Sequence, residues 1–167
     1  MFTRITPGDL ASGWTQVEPK LTANDGAEGD LFGGSVAIDG DTVVIGAYGD
    51  DDKGDGSGAA YVFRRNTPGD LASGWTQVEK PTANDGTNGP HFGNSVSIDG
   101  DTMVIGASLD TNLNPYKGTE SGSAYVFTRN TAGDLASGWT QVAKLTSSDG
   151  AANDRFGYSV SIDGDTL

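Results

Sequence analysis

The chain has no cysteine, one histidine, and 10 lysines and arginines against 23 aspartates and glutamates, for a formal charge of −13. Without cysteine there is no disulfide framework, a condition met in a reducing cytosol and by secreted proteins that never used one. The lone histidine, His91, stands between Pro90 and Phe92. It has no second His and no Cys with which to build a zinc site, so a surface loop residue is expected. The shortage of basic residues argues against a nucleic-acid or anionic-membrane surface, since phosphate binding needs clustered Lys and Arg. No apolar run approaches the roughly 18 residues of a membrane span. Met1 leads into Phe2-Thr3-Arg4 with no charged-then-apolar leader, so no signal peptide is read in this chain.

What the chain has in excess is glycine, 26 residues in 167, about twice the usual share. It also repeats itself. TPGDLASGWTQVE stands at 6–18 and again at 67–79, and returns as TAGDLASGWTQVA at 131–143, offsets of 61 and 64 residues. FGGSVAIDGDTVVIGA at 32–47 returns as FGNSVSIDGDTMVIGA at 92–107 and as FGYSVSIDGDTL at 156–167. A fixed period is the signature of a repeat architecture in which each unit buries its apolar face against the next.

One period reads as four short strands. FGGSVAI (32–38) alternates a large side with a nearly bare one, and Asp39-Gly40 signals a tight hairpin. TVVIGA (42–47) is a short apolar run of the kind buried on both faces. GAAYVFRR (58–65) and WTQVEK (75–80) follow, separated by a loop in which Pro68-Gly69 is the turn element. Four antiparallel strands form a small sheet that cannot bury both faces alone. The expected class is therefore all-β, with sheets stacked as blades of a β-propeller and FGGSVAI innermost. A β-sandwich is the alternative, but its strands need not repeat at a fixed period.

Phe32-Gly33 and Gly46-Ala47, with W-T-Q, S-V and Y-V-F around them, resemble the FG-GAP repeat of integrin α-chain propellers, and a bacterial FG-GAP variety more closely still. The resemblance covers essentially the whole chain. It implies about two full blades, 32–91 and 92–155, flanked by the later half of a blade in 1–31 (third and fourth strands, then the crossing loop) and the first half of one in 156–167. It also implies an extracellular or cell-surface setting and a binding or adhesion role toward a protein or glycan.

Many integrin-type repeats carry a calcium loop between first and second strands. Here that loop is only Asp39-Gly40-Asp41-Thr42, short of the 6 to 8 oxygens that Ca²⁺ prefers. A second acidic run, Asp50, Asp51, Asp52 and Asp55, has enough oxygens to hold a cation loosely, and Asp50, Asp52 and Asp55 are the candidate Ca²⁺ ligands. A merely solvated loop is the competing reading. Asp25, Asp85 and Asp149, each followed by Gly, read as turn residues. Ser35, Ser95 and Ser159 recur in every unit, which suits packing near an axis better than nucleophilic catalysis, and Trp14, Trp75 and Trp139 suit core or edge packing. A non-enzyme is expected.

Strand parity sends the second-to-third loops and the blade crossings to one face, which collects most of the acidic residues and the variation in loop length. Two expectations follow. One is a binding module acting through that acidic loop face. The other is a structural, self-assembling segment, favoured by near identity of the units because binding faces usually diversify. The partial blades at the two ends complement each other, so the chain is expected either to belong to a longer propeller or to close head to tail with copies of itself, two chains giving six blades.

Overall fold

In the computed structural model, which describes residues 2–6, 8, 9, 11–86, 89–111 and 119–167, the chain is all-β. β1 (Phe2–Arg4) and β2 (Trp14–Gln16) form an antiparallel pair. β3 (Ser35–Asp39), β4 (Thr42–Ala47), β5 (Ala59–Arg65) and β6 (Trp75–Glu79) form one four-stranded antiparallel sheet in chain order. β7 (Phe92–Asp99), β8 (Thr102–Ala107), β9 (Ser123–Arg129) and β10 (Trp139–Leu145) form a second. These sheets are the two expected blades.

The continuous apolar runs sit where burial on both faces demands them. β4 lies between β3 and β5, and every one of its residues is buried. β8 holds the same place in the second blade. Asp39 pairs with Thr42 across a two-residue loop, and Gly40 at its first position has φ 50°, a left-handed value that glycine adopts without strain.

The innermost strand departs from expectation in the first blade. Its ladder runs from Ser35 rather than Phe32, with the Gly33 amide donating to the Gly46 carbonyl at 3.0 Å ahead of it, whereas β7 pairs from Phe92. Residues 156–167 carry two isolated bridges, Gly122 with Phe156 and Asp163 with Thr166, instead of a paired strand.

The blades meet through backbone. The Ser35 hydroxyl donates to the Gly93 carbonyl at 2.8 Å, and Ser95 repeats this on Gly157 at 2.8 Å. A Cβ at Gly46 would collide with the Gly93 carbonyl, and one at Gly106 with that of Gly157. The repeated serine and the glycine of V-I-G-A are thus what let one blade lie directly on the next. Around this contact a core gathers Val44, Ala60 and Val62 of the first blade with Phe92, Val96, Ile98, Met103, Ile105, Tyr125 and Phe127 of the second. The opposite side of the first blade buries Val43, Ile45, Tyr61 and Phe63 under Phe32, Leu21 and Trp75.

The short Asp-Gly-Asp turn uses both its carboxylates inside the fold. Asp39 accepts from the Gly100 amide of the next blade at 2.7 Å, and Asp99 accepts from Gly164 at 2.6 Å. Asp41 accepts from Arg65 Nε at 2.6 Å and from the Gly69 amide, so it ties the T-P-G-D-L-A-S-G loop to the sheet. Asp101, Arg129 and Gly133 repeat the arrangement. Each guanidinium also lies over a tryptophan, Arg65 on Trp75 at 4.3 Å and Arg129 on Trp139 at 4.4 Å. Those two tryptophans pack as expected, whereas Trp14 on the lone β1–β2 pair is exposed.

Candidate functional site

The face opposite these turns carries the connections from β4 to β5 and β8 to β9, together with the crossings that precede Phe32, Phe92 and Phe156. At its base lies an aspartate just past β4. Asp50 is 2% exposed, and its Oδ2 accepts from the Tyr61 hydroxyl at 2.8 Å. The ammonium of Lys80 reaches the same oxygen at 2.8 Å, Asp25 at 2.8 Å and Asp52 at 2.5 Å. It also sits 5.2 Å over the Tyr61 ring. Asp50 and Asp52 thus share one ammonium.

The second blade builds the same cluster from Asp85, Asp110, Tyr125 and Lys144. Lys144 lies 2.6 Å from Asp85 and 2.7 Å from Asp110, and the Tyr125 hydroxyl donates to both carboxylates. Ser123 adds a 2.6 Å hydrogen bond to Asp110. Electrostatics follow from the geometry. Burial opposes the charge on each lysine, but hydrogen bonds to the aspartates outweigh it, and both lysine pKa values are raised. The hydrogen bond from Lys80 holds Asp25 below its ordinary value. Asp85 is lowered too, Lys144 and Tyr125 prevailing over burial. Burial drives the hydroxyls of Tyr61 and Tyr125 upward.

This arrangement gives part of the acidic run a partner inside the fold. Asp50 is a repeated structural element with Asp110 as its counterpart, and Asp25 and Asp85 are lysine partners as well as turn residues. Asp55 stays exposed and engages the next crossing through its backbone, its carbonyl accepting from Gly89 at 2.8 Å. Among the described residues, no three His, Cys, Asp or Glu side chains are grouped to hold a metal ion. The sequence signal for the lysine clusters was present in A-N-D-G, Y-V-F and the lysine after W-T-Q-V, but it is spread across each period.

Nearer the inner strands is a pocket of about 410 Å³ lined by Tyr48, His91, Asn94, Ser108, Leu109, Arg155 and Tyr158. His91 is half-buried there, its ring 5.5 Å from that of Tyr48 at 43°. Asn94 donates to the carbonyls of Gly157 at 3.2 Å and Tyr158 at 3.0 Å and accepts from the Ser108 amide at 2.9 Å, which fixes the pocket wall. Arg155 contacts Glu120 at 3.4 Å.

No curated protein matches the chain. The FG-GAP repeat family model matches residues 14–63, 75–127 and 139–167. Each match opens on the W-T-Q strand, one strand ahead of the sheet that follows, so the sequence unit is offset from the blade: Trp75 closes the first sheet while its unit runs on to Phe127 in the second. With most of its length matched and its strands arranged as antiparallel four-stranded blades, the chain belongs to the FG-GAP repeat family.

Proposed function

We propose that the chain is a non-enzymatic binding or adhesion module, working outside the cell, whose contact surface is the loop face. The observation that carries this reading is an asymmetry between faces. On the turn face the units repeat residue by residue, Asp41–Arg65–Gly69 being copied as Asp101–Arg129–Gly133. On the loop face only the buried base repeats, while the segments that follow Asp50 and Asp110 in the sequence, 51–56 and 111–120, differ in length and composition. Identity is kept where it holds the fold and is given up where it does not, which is the pattern of a surface that meets a ligand.

The test is an array of glycans and extracellular matrix proteins probed with the chain and two variants. Asp51→Lys with Asp55→Lys changes exposed loop-face charges, and Leu71→Ser changes the turn face. Binding that the first variant loses and the second keeps is expected. Equal binding by both variants, or none by the parent chain, overturns the proposal.

A second reading is favoured by the outer side of the first blade. Val36 and Ile38 of β3 are 58% and 55% exposed, whereas Val96 and Ile98 at the same positions of β7 are 9% and 8% exposed beneath the first blade. With Phe2, Leu21, Phe32, Val43 and Ile45 they bound an apolar cleft of about 430 Å³. We propose that a second copy of the chain seats its last blade here, head to tail, so that two chains close six blades. Mass by light scattering is the check: a dimer is expected, and a stable, folded monomer overturns the reading.

A further inference from the structure

We propose that the pocket between Tyr48 and Tyr158 is a site for a neutral pyranose unit of a glycan. The inference rests on the loop face being the binding surface and names the place and the ligand class.

The first observation is where the units disagree. The segment from the residue before Phe-Gly to the aspartate after V-I-G-A is nearly identical between units. Phe32, Phe92 and Phe156 agree, as do the glycines after them and Ser35, Ser95 and Ser159. The residue ahead of each Phe is Leu31, His91 or Arg155; the one after each Phe-Gly is Gly34, Asn94 or Tyr158; and Tyr48-Gly49 is answered by Ser108-Leu109. All seven residues that line the pocket come from these differing positions. The segment's other differences, Ala37 against Ser97 and Val43 against Met103, lie within strands, so those at the strand ends are the ones that converge on one cavity.

The second observation is that the pocket is built around those differences. Leu31, His91 and Arg155 share φ of 57°, 53° and 55°, so the same backbone turn presents a different side chain in each unit. Gly34 leaves the room that the Tyr48 ring needs, since a Cβ there would lie 2.9 Å from it. In the next unit the small residue is Ser108 and the larger one is Asn94, which accepts from the Ser108 amide.

The chemistry points to a sugar. A volume of about 410 Å³ falls within the range of roughly 300 to 1,000 Å³ typical of small-ligand sites. The Tyr158 side is open, with the residue 68% exposed, so its ring face is free to cover the C–H face of a pyranose while its hydroxyl stays wet. Tyr48, His91 and Arg155 offer hydrogen-bonding groups around that ring. Glu120 stands at 3.4 Å from the one guanidinium, and the chain carries −13 overall, so an uncharged sugar suits the site better than an acidic one.

The experiment is a glycan array followed by calorimetric titration of the neutral oligosaccharides that bind, using the chain, Tyr158→Ala, Tyr158→Phe and Arg155→Ala, with melting curves for each. Neutral glycans should bind, and Tyr158→Ala should weaken them about tenfold, the worth of one ring contact, at an unchanged melting temperature. Tyr158→Phe should bind close to the parent. Binding confined to acidic glycans, or undiminished in Tyr158→Ala and Arg155→Ala, overturns the pocket. If in that case Asp51→Lys with Asp55→Lys still abolishes binding, the loop-face reading stands without it.

Discussion

At the scale of single residues, the loop base turns on one lysine per blade. Asp50 is buried with Lys80 as its counter-charge, and removing one partner of such a pair leaves an uncompensated charge. Lys80→Met is therefore expected to cost about 3 kcal/mol in urea unfolding. Because the ammonium already occupies the place between Asp25, Asp50 and Asp52, millimolar Ca²⁺ should leave the melting temperature of the native chain unchanged; a rise would show that the carboxylates release the lysine for the metal. The pH dependence has two limbs. Lys80 and Lys144 titrate higher in the fold, so their contribution is complete below the ordinary lysine value of 10.5 and is lost as pH rises through the raised one. Asp25 and Asp85 titrate lower, so theirs is present above 3.8 and is lost as pH falls through the depressed values. Urea unfolding across pH should show a plateau bounded by these two limbs, and Lys80→Met should reduce the acid limb. These pairs were not legible in the sequence because their members, residues 25, 50, 61 and 80, come from different strands and loops, and only the stacked sheets bring them together. Read in isolation the run shows only carboxylates; the ammonium beside them is visible in space alone.

At the scale of elements, the sequence was most informative where physics leaves one choice. T-V-V-I-G-A reads as a strand covered on both faces, and Asp-Gly between an alternating run and that apolar run reads as a hairpin, so β4 and β8 and their turns were legible from the letters. The start of β3 was not, since the matching F-G-x-S-V letters begin a strand at Phe92 in the second blade and at Ser35 in the first. The function of the repeated glycines also needed the structure: Gly106 is small because the Gly157 carbonyl lies against it. Gly106→Ala is expected to cost about 3 kcal/mol, the upper range of overpacking, since the obstacle is backbone and cannot rotate aside. Urea titration of the variant checks this, and a change under 0.5 kcal/mol, the level of an ordinary surface substitution, would mean that the blades are not held so closely.

At the scale of the whole molecule, the propeller class was readable from the period and the strand pattern within it, and strand parity placed the acidic, variable loops on one face; the contacts that hold the other face in register were not readable. The near identity of the units suggested a structure without a ligand. Among the described residues, that identity holds the turn face and the buried base together. The exposed side of β3 gives the same scale its own test. Val36→Asp should leave the blade folded, because the residue is already in solvent, and yet abolish any larger mass seen by light scattering. The joints between units have a further consequence. Asp39 reaches forward to Gly100 and Asp99 to Gly164, while Ser35 reaches forward to Gly93 and Ser95 to Gly157. Every joint thus has a giving side and a receiving side, like links that couple in one direction. Two giving sides cannot meet, so units joined through this contact all travel the same way around the axis, and because each joint is self-contained, their number is free to change by whole repeats while the chemistry of the joint stays as it is.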